Sequence, residues 1–142
     1  MNDTHLAYVG HDTWPRVLGL PEASGVIRQQ PSDFQVEEIL GFDPDGAGEH
    51  LWLMIEKTGW TTVAVQQALA RHYAVSRMDV AYSGLKDKYA VTRQWFSIRT
   101  GMKSGADVPV ALPEGITCLK AVKNSRKLRR GVHKSNRFTL VV

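Results

Sequence analysis

Hydrophobic and polar positions change period several times along this chain, and each change predicts an element. Residues 25–30 read as a short strand. Over residues 33–40, Phe34, Val36 and Glu38 alternate against Gln35, Glu37 and Ile39, which predicts a second strand. Residues 41–49 hold three glycines and Pro44 and read as a loop. Leu51, Leu53 and Ile55 then alternate with Trp52, Met54 and Glu56, a strand apolar on both faces at its start and so covered on two sides. The period lengthens after residue 61. Thr61 or Thr62 can cap a helix start, and Val65, Leu69 and Tyr73 recur at four-residue spacing beside Ala64 and Ala68. Residues 80–83, 91–98, 116–122 and 138–142 are further strand candidates, and a second helix is predicted near residues 125–130. The first 21 residues look irregular, and residues 100–107 read as a mobile loop rich in glycine and serine. The fold class is α+β, a mixed and largely antiparallel sheet with packed helices.

Composition narrows this picture. The 142 residues fit one domain with a real core. No apolar run approaches the ~20 residues that span a bilayer, and the first ten residues lack the pattern of a secretory signal. Cys118 is the only cysteine, which excludes an intramolecular disulfide and a cysteine-rich zinc site and fits a reducing cytoplasm. No histidine shows metal-ligand spacing, so no metal is expected. Asp43, Asp45 and Glu49 lie among glycines without the spacing of a calcium loop and read as a polar hairpin turn.

The net charge of +4 is unevenly spread. Residues 32–56 carry seven acids and no Lys or Arg, whereas residues 120–137 carry eight Lys or Arg and no acid. That polarity gives the folded domain a basic region that phosphates would seek.

The densest chemistry lies in Gly84-Leu85-Lys86-Asp87-Lys88-Tyr89-Ala90-Val91-Thr92-Arg93-Gln94-Trp95-Phe96. One carboxylate, Asp87, sits between two lysines, with Arg93 downstream. Nearby positive charge favours the ionised form of a carboxylate. Such a group suits nucleophilic or proton-abstracting work on a polyanion. The same run also reads as an exposed turn with a solvated charge cluster.

Two further blocks accompany it: Gly25-Val26-Ile27-Arg28-Gln29-Gln30-Pro31-Ser32-Asp33-Phe34-Gln35-Val36-Glu37-Glu38, and Asn124-Ser125-Arg126-Lys127-Leu128-Arg129-Arg130-Gly131-Val132-His133-Lys134-Ser135-Asn136-Arg137-Phe138. With Gly46-Ala47-Gly48-Glu49-His50-Leu51 between the first two, these blocks in this order resemble the TruD family of tRNA pseudouridine synthases from residue 25 to the end. Members of that family are much longer. Because the chain also stops within an apparent strand, residues 1–142 are expected to be the N-terminal portion of a pseudouridine synthase catalytic domain, with the missing C-terminal part of the same protein as a partner and the piece alone inactive.

The resemblance implies isomerisation of a uridine near the D-arm of tRNA (the uridine 13 type) to pseudouridine, on an everted nucleotide and without a cofactor. Asp87 matches the catalytic aspartate, attacking the sugar C1′ or removing a C2′ proton. Phe138 matches an aromatic near the flipped base and Asn136 a polar residue of the active site; by position alone Phe138 also reads as a core strand residue and Asn136 as a turn residue. Arg28 and Ser135 stand where the family usually carries lysine and glycine. Arg28, Lys86 and Gln94 complete the expected substrate contacts. Lys88, Arg93, Arg126, Lys127, Arg129, Arg130 and Lys134 are the expected contacts to the RNA backbone. The competing reading is a non-catalytic α+β RNA-binding module in which Asp87 only shapes a loop.

Overall fold

A computed structural model describes residue 15, residues 17–19, 23–102, 109 and 111–142. Six strands form one sheet: β1 (Phe34–Ile39), β2 (His50–Lys57), β3 (Val80–Tyr82), β4 (Val91–Arg99), β5 (Ile116–Asn124) and β6 (Ser135–Leu140). Among the described residues one α-helix, α1 (Thr62–His72), follows β2. Across the sheet the order is β5-β2-β4-β1-β6, with β3 pairing the second half of β4. Every pairing is antiparallel except β1 with β4. The α+β class and the largely antiparallel sheet expected from the sequence are both present.

Alternation along β2 and β4 explains the two layers of core. Leu51, Leu53 and Ile55 share a face with Phe96 and Ile98, and α1 covers that face with Val65, Ala68 and Leu69. Thr61 caps the helix by accepting from the Ala64 amide at 3.1 Å. The opposite face carries Trp52 and Trp95, sealed by Leu40 and Leu128. Strand β2 is therefore covered on both sides, as its apolar pattern requires.

Three expectations are corrected. Residues 25–30 form no strand: Arg28 stands in the left-handed region at φ 57°, which breaks an extended run, and Val26 is 65% exposed. No helix forms at residues 125–130. There the Arg126 carbonyl accepts from Trp52 Nε1 and Asn124 Nδ2, and the Leu128 amide donates to Ser97 Oγ. Backbone groups that a helix would pair internally are spent on the sheet instead. The last strand occupies Ser135–Leu140 rather than 138–142. Ser135 opens β6 opposite Ile39 and is not among the residues with positive φ, so serine carries no strain there. Most of the irregular N-terminus and residues 103–107 of the expected mobile loop lie outside the described residues.

Candidate active site

The Asp87 run connects β3 to β4, and the fold holds it from every side. Gln94 Nε2 donates to the Gly84 carbonyl at 2.9 Å, and the Lys86 amide donates to Thr62 Oγ1 at 3.0 Å. Thr62 in turn donates to Gln94 Oε1 at 2.8 Å. Lys57 Nζ donates to the Asp87 carbonyl and the Gly59 amide to the Lys88 carbonyl, both at 2.9 Å. The Asp87 side chain is exposed, with Oδ1 accepting from the Tyr89 amide at 2.9 Å. A short aspartate side chain often closes such a local turn. An exposed carboxylate on a backbone held to the fold at four points is preorganised, since rigid support sets where it would meet a substrate.

The α1-covered face of the sheet continues under this loop toward β6. Register places Thr92 beside Val36 and Val36 beside Phe138, with Glu38 opposite Asn136. Side chains directly paired across strands share a face, so Thr92, Glu38, Asn136 and Phe138 line one surface. Glu38 is fully buried and joins the loop to that surface. Its Oε2 lies 3.2 Å from Lys86 Nζ, and its Oε1 accepts from the Trp95 amide at 3.1 Å. His133 adds a third link: its Nδ1 lies 2.5 Å from Ser83 Oγ and 3.8 Å from Glu38 Oε2, and its Nε2 lies 3.5 Å from Asn136 Nδ2. The ring needs the small residue beside it, because a Cβ on Gly84 would stand 3.1 Å from His133 Cε1.

Phe138 is 63% exposed, which answers the sequence alternative of a core position. Its ring lies nearly parallel to that of Phe34, at 14° and 6.1 Å between centroids, and the Arg28 guanidinium stands 4.3 Å over Phe34. Arg28 is thus a stacking partner of the aromatic pair, and among the described residues it forms no ion pair with Asp87. Among the described residues, Asn136 Oδ1 and Thr92 Oγ1 are buried without a hydrogen-bond partner.

The remaining expected contacts separate. Gln94 is fully buried with both ends of its amide engaged, and Lys86 is committed to Glu38, so both position the loop rather than reach outward. Arg93 lies on the opposite face of the sheet from Thr92 and Gln94, paired with Glu56 at 2.8 Å. Two-residue alternation, not distance along the chain, decides that placement. Lys88 is exposed, with Nζ 5.4 Å from the Tyr89 ring. Arg126, Arg129 and Arg130 are exposed on the segment joining β5 to β6; Arg130 stacks 3.9 Å over Tyr82, and Lys127 donates to the Met78 carbonyl. Lys134 is exposed, and its stem packs against Gly41. This basic segment reaches the Asp87 loop at Ser83, whose carbonyl accepts from the Gly131 amide at 2.8 Å.

Asp45, read from the sequence as part of a polar turn, clamps two loops. It accepts from the Ser125 hydroxyl and from the Ser125 and Ala47 amides. These bonds, the Ser125 hydroxyl first, hold its carboxyl below the ordinary value. Among the described residues no group of three or more His, Cys, Asp or Glu is placed to hold a metal ion.

Residues 13–142 match the family model for tRNA pseudouridine synthase D (TruD). The chain belongs to the TruD family. It is 50% identical to a tRNA pseudouridine synthase D of Chromohalobacter salexigens over 89% of this chain and 37% of that protein. It is 47% identical to the one of Methylococcus capsulatus over 94% of this chain and 38% of that protein. The chain therefore spans under two-fifths of the length of these relatives. A crystal structure from Methanosarcina mazei assigned to TruD superposes with a TM-score of 0.68 at 25% identity, covering 79% of this chain and 25% of that one.

Sequence reasoning missed Lys57, Glu38, Ser83, Thr62 and His133. Two had a signal. Glu38 follows Val36, and Lys57 follows Leu51, Leu53 and Ile55, on the buried phase of their strands. A charge on the buried phase needs a partner, and here each finds one in the Asp87 loop.

Proposed function

We propose that this chain supplies the catalytic aspartate of an enzyme that isomerises a uridine of tRNA, near the D-arm at the uridine 13 type of position, to pseudouridine. The observation that carries this reading is an exposed carboxylate, Asp87, on a loop clamped by β2, β4 and α1 beside a face bearing Asn136 and an exposed Phe138. Membership of the TruD family supports it.

The reaction breaks the C1′–N1 glycosidic bond, turns the uracil and forms a C1′–C5 bond; the C5 proton leaves and N1 gains one, with no net redox change. Asp87 serves either by attacking C1′, forming an ester that the returning C5 displaces, or by taking the C2′ proton and returning it later. Both routes need an ionised carboxylate held still while the base moves. The Phe138 face offers a stacking surface worth about 1–3 kcal/mol per base, which offsets part of the cost of unstacking the nucleotide. Asn136, whose Oδ1 is buried, offers the N–H of its amide to a uracil carbonyl. The arginines of the β5–β6 segment meet the backbone.

The test is to incubate the natural full-length protein with unmodified tRNA and map pseudouridine by chemical modification and reverse transcription. A single new pseudouridine near the D-arm is expected. Binding without any product would favour the RNA-binding module instead, and product elsewhere in the tRNA would refute the assigned position.

A further inference from the structure

Among the fully buried side chains of the described residues is a lysine, where an apolar residue is expected. Lys57 closes β2 with no exposed surface, between the uncharged Thr92 of β4 and Ile116 of β5. Its ammonium donates to the main-chain carbonyl of Asp87. The side chain thus reaches the backbone of the one residue whose carboxylate the proposed chemistry uses. Two residues on, the Gly59 amide takes the Lys88 carbonyl, so the end of β2 holds consecutive carbonyls of the loop.

We propose that Lys57 is a positioning residue for Asp87: its buried ammonium fixes the loop carbonyl and so sets where the carboxylate stands. This rests on the proposed function for its kinetic consequence but not for its structural one. The hydrogen bond from a cation is stronger than one from a neutral amine, so the hold depends on charge. Burial, the dominant influence, lowers Lys57 to about 8; Asp87 favours its ammonium and Lys86 opposes it. The grip therefore weakens as pH rises through about 8. Charge burial works against folding, which sets Lys57 apart from a stabilising core residue and points to a task at the loop.

Lys57→Met keeps an unbranched side chain one atom shorter and removes the charge; Lys57→Gln is the second variant should methionine fail to fold. In the full-length protein, kcat for pseudouridine formation is expected to fall roughly ten- to hundredfold at pH 7, with KM for tRNA within about twofold. The ratio of wild-type to variant kcat is expected to shrink as pH rises from 7 to 9.5, because the wild type loses its ammonium; other titrating groups cancel in that ratio. Amide hydrogen exchange at Lys88 and Tyr89 is expected to be at least tenfold faster in the variant. A ratio near one, or one constant across pH, overturns the proposal. If the wild-type protein forms no pseudouridine, the proposed function fails, and exchange alone then decides the positioning role: unchanged exchange overturns it.

Discussion

Replacing Glu38 by Gln tests whether the buried ion pair holds the loop to the sheet. Glu38 is 0% exposed and Lys86 5% exposed at their side chains, with 3.2 Å between charges. Glutamine keeps an oxygen for the Trp95 amide, now 3.1 Å from Oε1, but leaves the Lys86 ammonium buried and uncompensated. Breaking a buried pair from one side costs about 3–5 kcal/mol, and the retained hydrogen bond puts Glu38→Gln near the lower end. With a urea slope of about 2 kcal/mol/M, the unfolding midpoint falls by roughly 1.5 M. The double variant Glu38→Gln/Lys86→Met removes both charges, and is expected to recover at least half of that loss, giving a coupling energy of about 2 kcal/mol. Equilibrium denaturation followed by tryptophan fluorescence measures these two variants and Lys86→Met alone, the third corner of the cycle. A Glu38→Gln midpoint within about 0.3 M of wild type would refute the reasoning, as would a double variant no more stable than the single one.

Other outcomes follow from the same geometry. Because Lys57 sits at about 8 when folded against 10.5 ordinarily, the unfolded chain binds more protons between those values, so stability is expected to rise with pH across that window. Thermal midpoints of wild type against Lys57→Met check this: the rise should vanish in the variant. Asp45 has the opposite sign: its lowered carboxyl adds stability above the unfolded value near 3.8 that is lost as pH falls through the folded one, so Asp45→Asn should flatten the acid limb of the unfolding curve. For tRNA, Arg129→Gln and Arg130→Gln should each reduce the salt slope of binding by about one, while Arg93→Gln, on the far face and paired with Glu56, should leave it unchanged.

Much of this fold was legible because strand and helix periods differ. The alternation at Leu51–Ile55 and the spacing of Val65 and Leu69 marked β2 and α1, and Thr61 marked the cap. The failures share one cause, which is that local pattern carries no information about distant partners. Residues 125–130 looked helical, yet Trp52 and Ser97, far away in sequence, take their backbone groups. Residues 25–30 looked extended, yet no strand pairs with them and Arg28 turns left-handed. The site behaved likewise. Asp87, Asn136 and Phe138 were singled out by motif; in the structure Lys86, next to Asp87, pairs with Glu38, which stands opposite Asn136. Arg93 lies near Asp87 in sequence but belongs to the other side of the sheet. Lys57 and Glu38 were hidden as charges within apolar strands, where only their partners explain them.

Single-turnover formation of pseudouridine by wild type and Asp87→Asn, with tRNA affinity measured in parallel, probes the central role of the carboxylate most directly. Asparagine is nearly isosteric and its Oδ1 still accepts from the Tyr89 amide, so affinity should stay within about threefold while product formation falls by at least ~10³, the scale of losing a nucleophile or general base. Product formed by Asp87→Asn at a rate near that of wild type would show that the chemistry resides elsewhere.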